Sequence, residues 1–412
     1  MQQGKHQPQR AVSGSHHKLD WYPNTFHAAG TKQASYEHPM NKPLLRWGIL
    51  GTANIAQKNW KAIWNSRNGC VTAVASRDPQ RSRRFIDECQ AQAPFPAAPR
   101  ALGSYEELLA APDVDAVYIP LPTGIRGHWV KRAAEAGKHV LCEKPCATSL
   151  VELVEMLDVC QRNRVQFMDD VMFMHSRRLE RIREVLDDGH TIGSIRRITS
   201  AFTFRADEDF FASNIRAQSD LEPDGCLGDL GWYCIRFALW AMNWKVPERV
   251  TGRVLSEFKH ASSKLPVPTE FSAELLYPDG VTSSFYCSFI TETEQWANVS
   301  GARGYLRVPD FVLPFAGSQI AFQTGNPVFN VQGCDFEMQP HCRRWAVKER
   351  SHSHPTAQES RLFRHFAEQV KSGTLNPLWP EIALKTQQVM QACRESSRNQ
   401  GRPTEVAQAS GA

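Results

Sequence analysis

Apolar runs alternate with amphipathic segments from residue 44 to about residue 173. The apolar runs predict buried strands over 44–50, 70–76, 113–122, 138–144 and 165–173. The segments between them have helical apolar spacing and predict helices over 54–66, 79–93, 127–137 and 149–163. Strands that alternate with helices at this spacing form a parallel sheet covered on both faces. We therefore predict an α/β domain with a doubly wound sheet over residues 44–167.

The apolar period changes to two after about residue 195. Longer strands are predicted over 194–204, 249–258, 271–289 and 304–308, and the third contains the turn sequence YPDG. Three helices are predicted in this part of the chain, over 227–242, 359–373 and 381–396. This pattern predicts a second, α+β domain over 168–400 with an open, mostly antiparallel sheet. The polar segments 1–43 and 401–412 are expected to be a disordered N-terminal tail and a short C-terminal tail.

Composition excludes several classes of protein. The net charge is +5, but residues 1–43 hold five Lys/Arg against two acids, so three of the five surplus charges lie in that tail. No basic face interleaved with aromatic residues follows, and we expect no nucleic-acid partner. No apolar run reaches the ~18–20 residues that a membrane helix needs. Eleven scattered cysteines without zinc spacing predict packing residues and no metal site, in a cytoplasmic protein.

The turn after the first strand predicts a dinucleotide site. It consists of Gly51, Thr52, Ala53, Asn54 and Ile55. A Rossmann dinucleotide-binding domain places the cofactor pyrophosphate at this strand–helix junction, on backbone N–H groups. The usual G-x-G-x-x-G pattern is weakened here because alanine stands at its second and third glycines, and the placement of the stretch supports the assignment.

The end of the second strand bears on the choice of cofactor. An NAD enzyme usually has an acid here for the ribose hydroxyls, whereas this chain has Ser76 and Arg77. A hydroxyl and a guanidinium suit a 2′-phosphate, so we favour NADP over NAD. The alternative is that Arg77 is solvated and Asp78 binds the ribose of NAD.

A second group of residues predicts proton-transfer chemistry. Lys144 follows a predicted strand of the parallel sheet, where ligands of this fold bind, and Pro145 fixes the turn behind it. Asp229 and Tyr233 are four residues apart on a predicted helix and so share a face. We expect the Lys144 ammonium to lower the pKa of Tyr233 and to form a proton relay with it. The alternative is that Tyr233 is a packed core residue.

These stretches together resemble the glucose–fructose oxidoreductase / inositol dehydrogenase / MocA family. The resemblance rests on WGILGTANIA, YIPLPT, HVLCEKP and GDLGWYCIR and extends from about residue 44 to residue 400. Because it has tyrosine four residues after the aspartate, the chain resembles the subgroup of this family that includes glucose–fructose oxidoreductase, D-xylose dehydrogenase and dimeric dihydrodiol dehydrogenase. Arg126 departs from the family, which usually has histidine there in a Thr-x-x-His pattern, so either His128 replaces it or that contact is lost.

The resemblance implies roles for individual residues. Lys144 would lie near the nicotinamide after a Lys–Pro peptide that is often cis, with Tyr233 as general acid/base and Asp229 as its substrate-side partner. The cofactor would also be lined by Leu121, Pro122, Thr123 and Glu143. Our candidates for the substrate pocket are Met172, Phe173, His175, Arg216 and Trp232.

The expected function is therefore an NAD(P)-dependent oxidoreductase with NADP favoured. It would interconvert a hydroxyl and a carbonyl on a sugar, polyol or cyclic diol by hydride transfer. The resemblance implies a homodimer or homotetramer formed through the C-terminal sheet. Two alternatives stay open: a non-catalytic dinucleotide sensor and an NAD-assisted glycoside hydrolase.

Overall fold

The first sheet has the strand order of a dinucleotide-binding fold. The computed structural model describes residues 43–407, so almost all of the predicted N-terminal tail lies outside the described residues. The six strands are β1 (Leu45–Leu50), β2 (Gly69–Ala75), β3 (Arg100–Leu102), β4 (Ala116–Ile119), β5 (His139–Cys142) and β6 (Phe167–Asp169). They are parallel and lie in the order β3-β2-β1-β4-β5-β6. The strand order reverses between β1 and β4, which opens a crevice at their carboxyl ends.

Five helices connect these strands. They are α1 (Asn54–Ser66), α2 (Pro79–Gln92), α3 (Tyr105–Ala110), α4 (Thr123–Glu135) and α5 (Leu150–Arg162). Three of them begin at a residue whose side chain accepts a hydrogen bond from a backbone N–H of the first turn: Asp78 for α2, Ser104 for α3 and Ser149 for α5. α1 begins after Ala53 and has no such cap.

The second sheet has nine strands and is mostly antiparallel. Its strands are β7 (Ile195–Thr203), β8 (Arg249–Phe258), β9 (Val267–Leu276), β10 (Thr282–Ser288), β11 (Glu294–Gly301), β12 (Tyr305–Val308), β13 (Ile320–Gly325), β16 (Cys342–Val347) and β17 (Thr404–Glu405). Their order is β16-β13-β12-β11-β7-β10-β9-β8-β17, and only the β7–β10 pair is parallel. Strands β14 (Val328–Gln332) and β15 (Asp335–Gln339) form a separate ribbon. The fold class predicted from the sequence is confirmed.

One face of the large sheet is covered by helices. The remaining helices are α6 (Arg177–Asp187), α7 (Glu208–Ser213), α8 (Trp232–Ala241), α9 (Gln358–Lys371) and α10 (Leu378–Arg398). Burial alternates strictly along β9, with Phe271 and Leu275 among the inward side chains, while α8 and α10 pack against neighbouring strands. The YPDG turn joins β9 to β10, and Gly280 there has a φ of +76°.

Several predicted boundaries need correction. The apolar run 165–173 is a strand only over β6, because Met172–His175 forms a 3₁₀ turn. β6 therefore also extends beyond the predicted domain boundary at residue 167. Within the predicted C-terminal tail, β17 pairs with β8, so residues 404 and 405 belong to the sheet. Periodicity in the sequence did not predict β3, β11, the strands from β13 to β16, or the helices α3, α6 and α7.

The uncovered face of the large sheet is polar and concave. A depression of about 470 Å³ there is lined by side chains that include Arg197, Arg253, Glu274 and Trp296. The residues that line this depression are distant in sequence from the loops of the first sheet. Assembly through this face stays a prediction. Within residues 43–407 no helix has the length and apolar character to cross a membrane, and no group of His, Cys, Asp and Glu could hold a metal ion.

Candidate active site

The turn after β1 is open to an anionic ligand. Gly51 has a φ of +111°, which favours glycine. Ala53 has a φ of −67° and ψ of 150°, so alanine causes no backbone strain there. α1 has no side-chain cap and no acid in its first turn, and its N–H groups can therefore receive a pyrophosphate. Leu121, after β4, lies against this turn: a Cβ placed on Gly51 would be 3.1 Å from Leu121 Cδ2.

At the end of β2 the Arg77 guanidinium is exposed, whereas the Asp78 carboxylate beside it is hydrogen-bonded within the protein. Asp78 accepts a hydrogen bond from Gln80 N at 2.9 Å as the cap of α2. Ser76 is buried and donates its hydroxyl hydrogen to Asp78 O at 2.6 Å. Arg77 is exposed. Its charge and that of Arg81 act to lower the pKa of Tyr105, although burial is the larger effect and raises it.

Lys144 reaches across to the second domain. The Lys144–Pro145 peptide is cis, as the resemblance implied. Lys144 Nζ donates to Asp229 Oδ1 and to Asp229 O, both at 2.6 Å. Asp229 Oδ2 pairs with Arg216 Nε at 2.8 Å. The Lys144 side chain is 8% exposed and that of Arg216 is 39% exposed, so this charged group is buried on the lysine side and reaches solvent on the other.

The two cations decide the ionisation of Asp229. Burial alone would raise its pKa, but the charges and hydrogen bonds of Arg216 and Lys144 outweigh burial and lower the pKa to about 2. Asp229 is therefore ionised at any ordinary pH. Its carboxylate lies between the two cations and pairs with both.

Tyr233 lies beside Lys144, but with its ring face turned to the ammonium. Lys144 Nζ is 4.6 Å from the centroid of the Tyr233 ring, which is a cation–π contact. Burial, followed by the charges of Glu143, Asp229 and Asp170, raises the pKa of Tyr233 well above its ordinary value. Our prediction of a lowered pKa is therefore wrong, because burial and the neighbouring carboxyl groups outweigh the nearby cations. The phenol is neutral and can donate a proton.

A carboxyl pair lies behind Lys144. Glu143 accepts a hydrogen bond from Tyr118 Oη at 2.6 Å, and Asp170 accepts one from Asn59 Nδ2 at 2.6 Å. Burial raises the pKa of Asp170 well above its usual range, and the charge and hydrogen bonding of Glu143 raise it further. Burial and the neighbouring carboxyl group of Glu143 therefore favour the protonated form of Asp170.

Comparison with known proteins agrees with this geometry. Residues 45–170 match an oxidoreductase family with an NAD-binding Rossmann fold, GFO/IDH/MocA, and residues 179–307 match the GFO/IDH/MocA C-terminal domain. The chain belongs to the GFO/IDH/MocA family. It is accordingly an NAD(P)-dependent oxidoreductase, as the resemblance implied.

Individual relatives in this family act on sugars and diols. The chain is 34% identical to D-xylose 1-dehydrogenase (NADP(+)) 2 of Haloferax volcanii, over 69% of this chain and 82% of that protein. It is 32% identical to trans-1,2-dihydrobenzene-1,2-diol dehydrogenase of Mus musculus, over 66% of this chain and 76% of that protein. The structure of KijD10, a 3-ketoreductase from Actinomadura kijaniata, in complex with NADP and TDP-benzene is similar with a TM-score of 0.71 and 27% identity. That match covers 86% of this chain and 98% of KijD10.

The structure separates the candidate substrate residues. Arg216 contacts Asp229, and the ring of Phe173 lies 6.2 Å from that of Tyr233. Met172 is also buried, and its sulfur accepts a hydrogen bond from Lys58 Nζ at 2.8 Å.

The other two candidates, Trp232 and His175, make their contacts within the protein. Trp232 is fully buried and donates its ring N–H to Asp169 Oδ2 at 3.3 Å. His175 stacks on Trp379, with 4.8 Å between ring centroids, and its Nδ1 is 3.0 Å from that of His365. Both rings are therefore held in the interior of the protein.

Two cofactor-side candidates are already engaged within the protein. Thr123 N and Oγ1 both donate to the Glu222 carboxylate, at 3.0 and 2.6 Å. The Glu143 carboxylate accepts from Tyr118 and from Lys144 N, the latter at 3.2 Å. Sequence reasoning missed Tyr118, Asp170 and Glu222, because their relevance depends on tertiary contacts between distant segments.

Proposed function

We propose that this chain is an NADP-preferring oxidoreductase that interconverts a hydroxyl and a carbonyl on a sugar, polyol or cyclic diol. The observation that supports the preference most is the position of Asp78, whose carboxylate caps α2 and is thereby withdrawn from a ribose diol. We place Arg77 at the 2′ position of the ribose, with Arg81 and Tyr105 close by, whereas the buried Ser76 hydroxyl is engaged by Asp78 O. A guanidinium binds a phosphate far better than a diol.

The proposed proton relay consists of Lys144 and Tyr233. The hydride for the carbonyl carbon would come from NADPH when it is bound, and NADP⁺ would accept it in the reverse direction. An ammonium has three donors, and Asp229 engages two of those of Lys144, so the third can hydrogen-bond to the reacting oxygen. The neutral Tyr233 donates its proton to that oxygen as a hydroxyl forms. In the oxidative direction Tyr233 takes the proton back.

Asp229 and Arg216 complete the proposed site. Asp229 fixes Lys144, and the part of Arg216 that reaches solvent can contact substrate hydroxyls. The D-xylose, dihydrodiol and 3-keto sugar chemistries in the names of the relatives share an oxygen-bearing carbon beside a second oxygen-bearing carbon. We therefore propose a vicinal diol or hydroxyketone as the substrate element.

The cofactor preference is tested by titration with NADPH and NADH, followed by nicotinamide fluorescence. Loss of a charge-assisted hydrogen bond costs about 1.5–3 kcal/mol, so Arg77→Ala should weaken NADPH binding by about tenfold or more. NADH binding should be unchanged. Arg83→Ala is the matched control, because Arg83 lies on α2 with only an exposed pair to Asp87. Equal effects of Arg77→Ala on both nucleotides would contradict the assignment.

The reaction is tested with a panel of pentoses, hexoses, dihydrodiols and their ketones, followed at the absorbance of the reduced cofactor. Turnover of a ring hydroxyl or ketone is the expected result. Tight binding of NADPH without turnover of any compound would favour the sensor or the hydrolase.

A further inference from the structure

Arg126 is a buried cation close to the proposed site. It is the fourth residue of α4, and only 3% of it is exposed. Its Nε donates to Leu121 O at 2.9 Å, and its Nη1 donates to Thr123 Oγ1 at 3.1 Å and also to Pro145 O. Throughout residues 43–407 no carboxylate lies within ion-pair distance of this guanidinium, and its partners are carbonyl and hydroxyl oxygens.

This placement is energetically unfavourable for a residue that only fills space. A buried charge loses its hydration, and no opposite charge compensates Arg126 directly. The N-terminal turn of a helix also disfavours a cation, by about 0.3–1 kcal/mol. A hydrophobic side chain of similar length would avoid both costs. The guanidinium must therefore provide something that depends on its hydrogen-bond geometry.

The two carbonyl groups that it binds belong to different loops. Leu121 O lies in the loop after β4, which packs against the Gly51 turn. Pro145 O lies directly after Lys144, in the loop after β5. A rigid, planar guanidinium that spans both carbonyls fixes the separation of these loops. It thereby fixes the backbone from which Lys144 extends.

The same network continues into the second domain. Thr123 Oγ1, which accepts from Arg126, donates to Glu222 Oε2 at 2.6 Å. Gly124 N donates to Leu221 O at 2.8 Å, and a Cβ on Gly124 would come within 2.2 Å of Asp220 O. The segment that contains Glu222 also carries Arg216 and leads to Asp229. Arg126 therefore contacts the Lys144 loop directly and reaches the Asp229 segment through Thr123.

We propose that Arg126 is a positioning residue that holds the Leu121–Thr123 and Lys144–Pro145 loops in one arrangement, and so sets the position of Lys144 relative to the nicotinamide and to Asp229. This inference rests on the proposed function for its kinetic consequence. His128 does not take this place, because it is exposed and packs edge-on against Trp129.

The test compares Arg126→Lys with the wild type. Lysine keeps the charge but lacks the fork that spans both carbonyls. A misplacement of about 1 Å at a reacting centre can lower the reaction rate by on the order of 100-fold. We therefore expect kcat to fall by about 10- to 100-fold. The Kd for NADPH should change by less than about threefold, since phosphate groups held at α1 and at Arg77 dominate cofactor binding. Arg132→Lys is the matched control, because Arg132 lies on the same helix and is exposed.

Chemical rescue separates positioning from general stability. Added guanidinium ion, far below denaturing concentrations, should restore part of the kcat of Arg126→Ala, whereas sodium at the same ionic strength should not. If the alanine variant does not fold, the lysine variant still decides the matter. An unchanged kcat in Arg126→Lys, or loss of kcat and of NADPH binding in equal proportion, would overturn the proposal.

A spectroscopic readout covers the case in which the wild type turns over no compound. The emission of bound NADPH reports the surroundings of the nicotinamide. Arg126→Lys should bind NADPH with nearly wild-type affinity but with a shifted emission maximum. Identical emission in both proteins would overturn the role of Arg126, whatever the substrate is.

Discussion

Replacement of Asp229 by asparagine tests the electrostatics of the site. Asp229 has a pKa of about 2 in the folded protein, whereas an aspartate in an unfolded chain has a pKa of about 3.9. The difference of about 1.9 units corresponds to about 2.6 kcal/mol of stability at neutral pH. The Asp229 side chain is 13% exposed, so solvent screening reduces this value only slightly. We expect Asp229→Asn to lower the free energy of unfolding by about 2–3 kcal/mol at pH 7.

The pH dependence has a definite sign. Because the folded-state pKa is depressed, the stabilisation is present above pH ~4 and is lost as the pH falls towards 2. Urea unfolding at pH 7 measures the difference. Asp279→Asn is the control, because Asp279 pairs with Lys245 at 3.2 Å on the exposed surface and should contribute less than about 1 kcal/mol. Equal stabilities of Asp229→Asn and the control at pH 7 would refute the reasoning.

Two further predictions concern the buried groups around the site. Asp170→Asn should flatten the decline of stability with rising pH above about pH 4, because the pKa of Asp170 is raised and the unfolded chain loses a proton that the folded protein keeps. Urea unfolding at pH 5 and pH 8 measures this, and parallel pH profiles would contradict it. Arg236→Met should cost about 3–5 kcal/mol, because it leaves the fully buried Asp169 without its 2.6 Å ion pair. The double variant with Asp169→Leu should recover part of the loss, and a single-variant loss below about 1 kcal/mol would count against the reasoning.

Local patterns predicted the parts of the fold that are locally encoded. Periodicity predicted the strands and helices of the first domain apart from the short elements β3 and α3, and Gly51 and the YPDG turn follow from backbone preferences. The strands from β13 to β16 escaped prediction. The ribbon formed by β14 and β15 is exposed on both faces, so it lacks the alternation of a half-buried strand. β13 and β16 flank this ribbon in the sequence and are short strands at one edge of the large sheet.

The site was predictable only in part, because several of its contacts join segments that are distant in the sequence. Lys144 and Asp229 were identified from the sequence, yet the pairing of Asp229 with Arg216 and the carboxyl pair of Glu143 and Asp170 arise from tertiary contacts. Burial of Tyr233, which also depends on tertiary packing, raises its pKa, opposite to the expected shift. Residues 227–231 also form a π-helical turn, so the spacing from Asp229 to Tyr233 is not that of a regular α-helix.

The most direct test of the central claim is the turnover of Tyr233→Phe with NADPH and a ketone identified in the substrate panel. Phenylalanine keeps the buried ring but removes the proton that we assign to the reacting oxygen. Loss of a general acid costs about 10²- to 10⁴-fold, so kcat should fall by that factor while the Kd for NADPH stays within about threefold. A kcat within a few fold of the wild type would contradict the role of Tyr233 and, with it, the proposed relay.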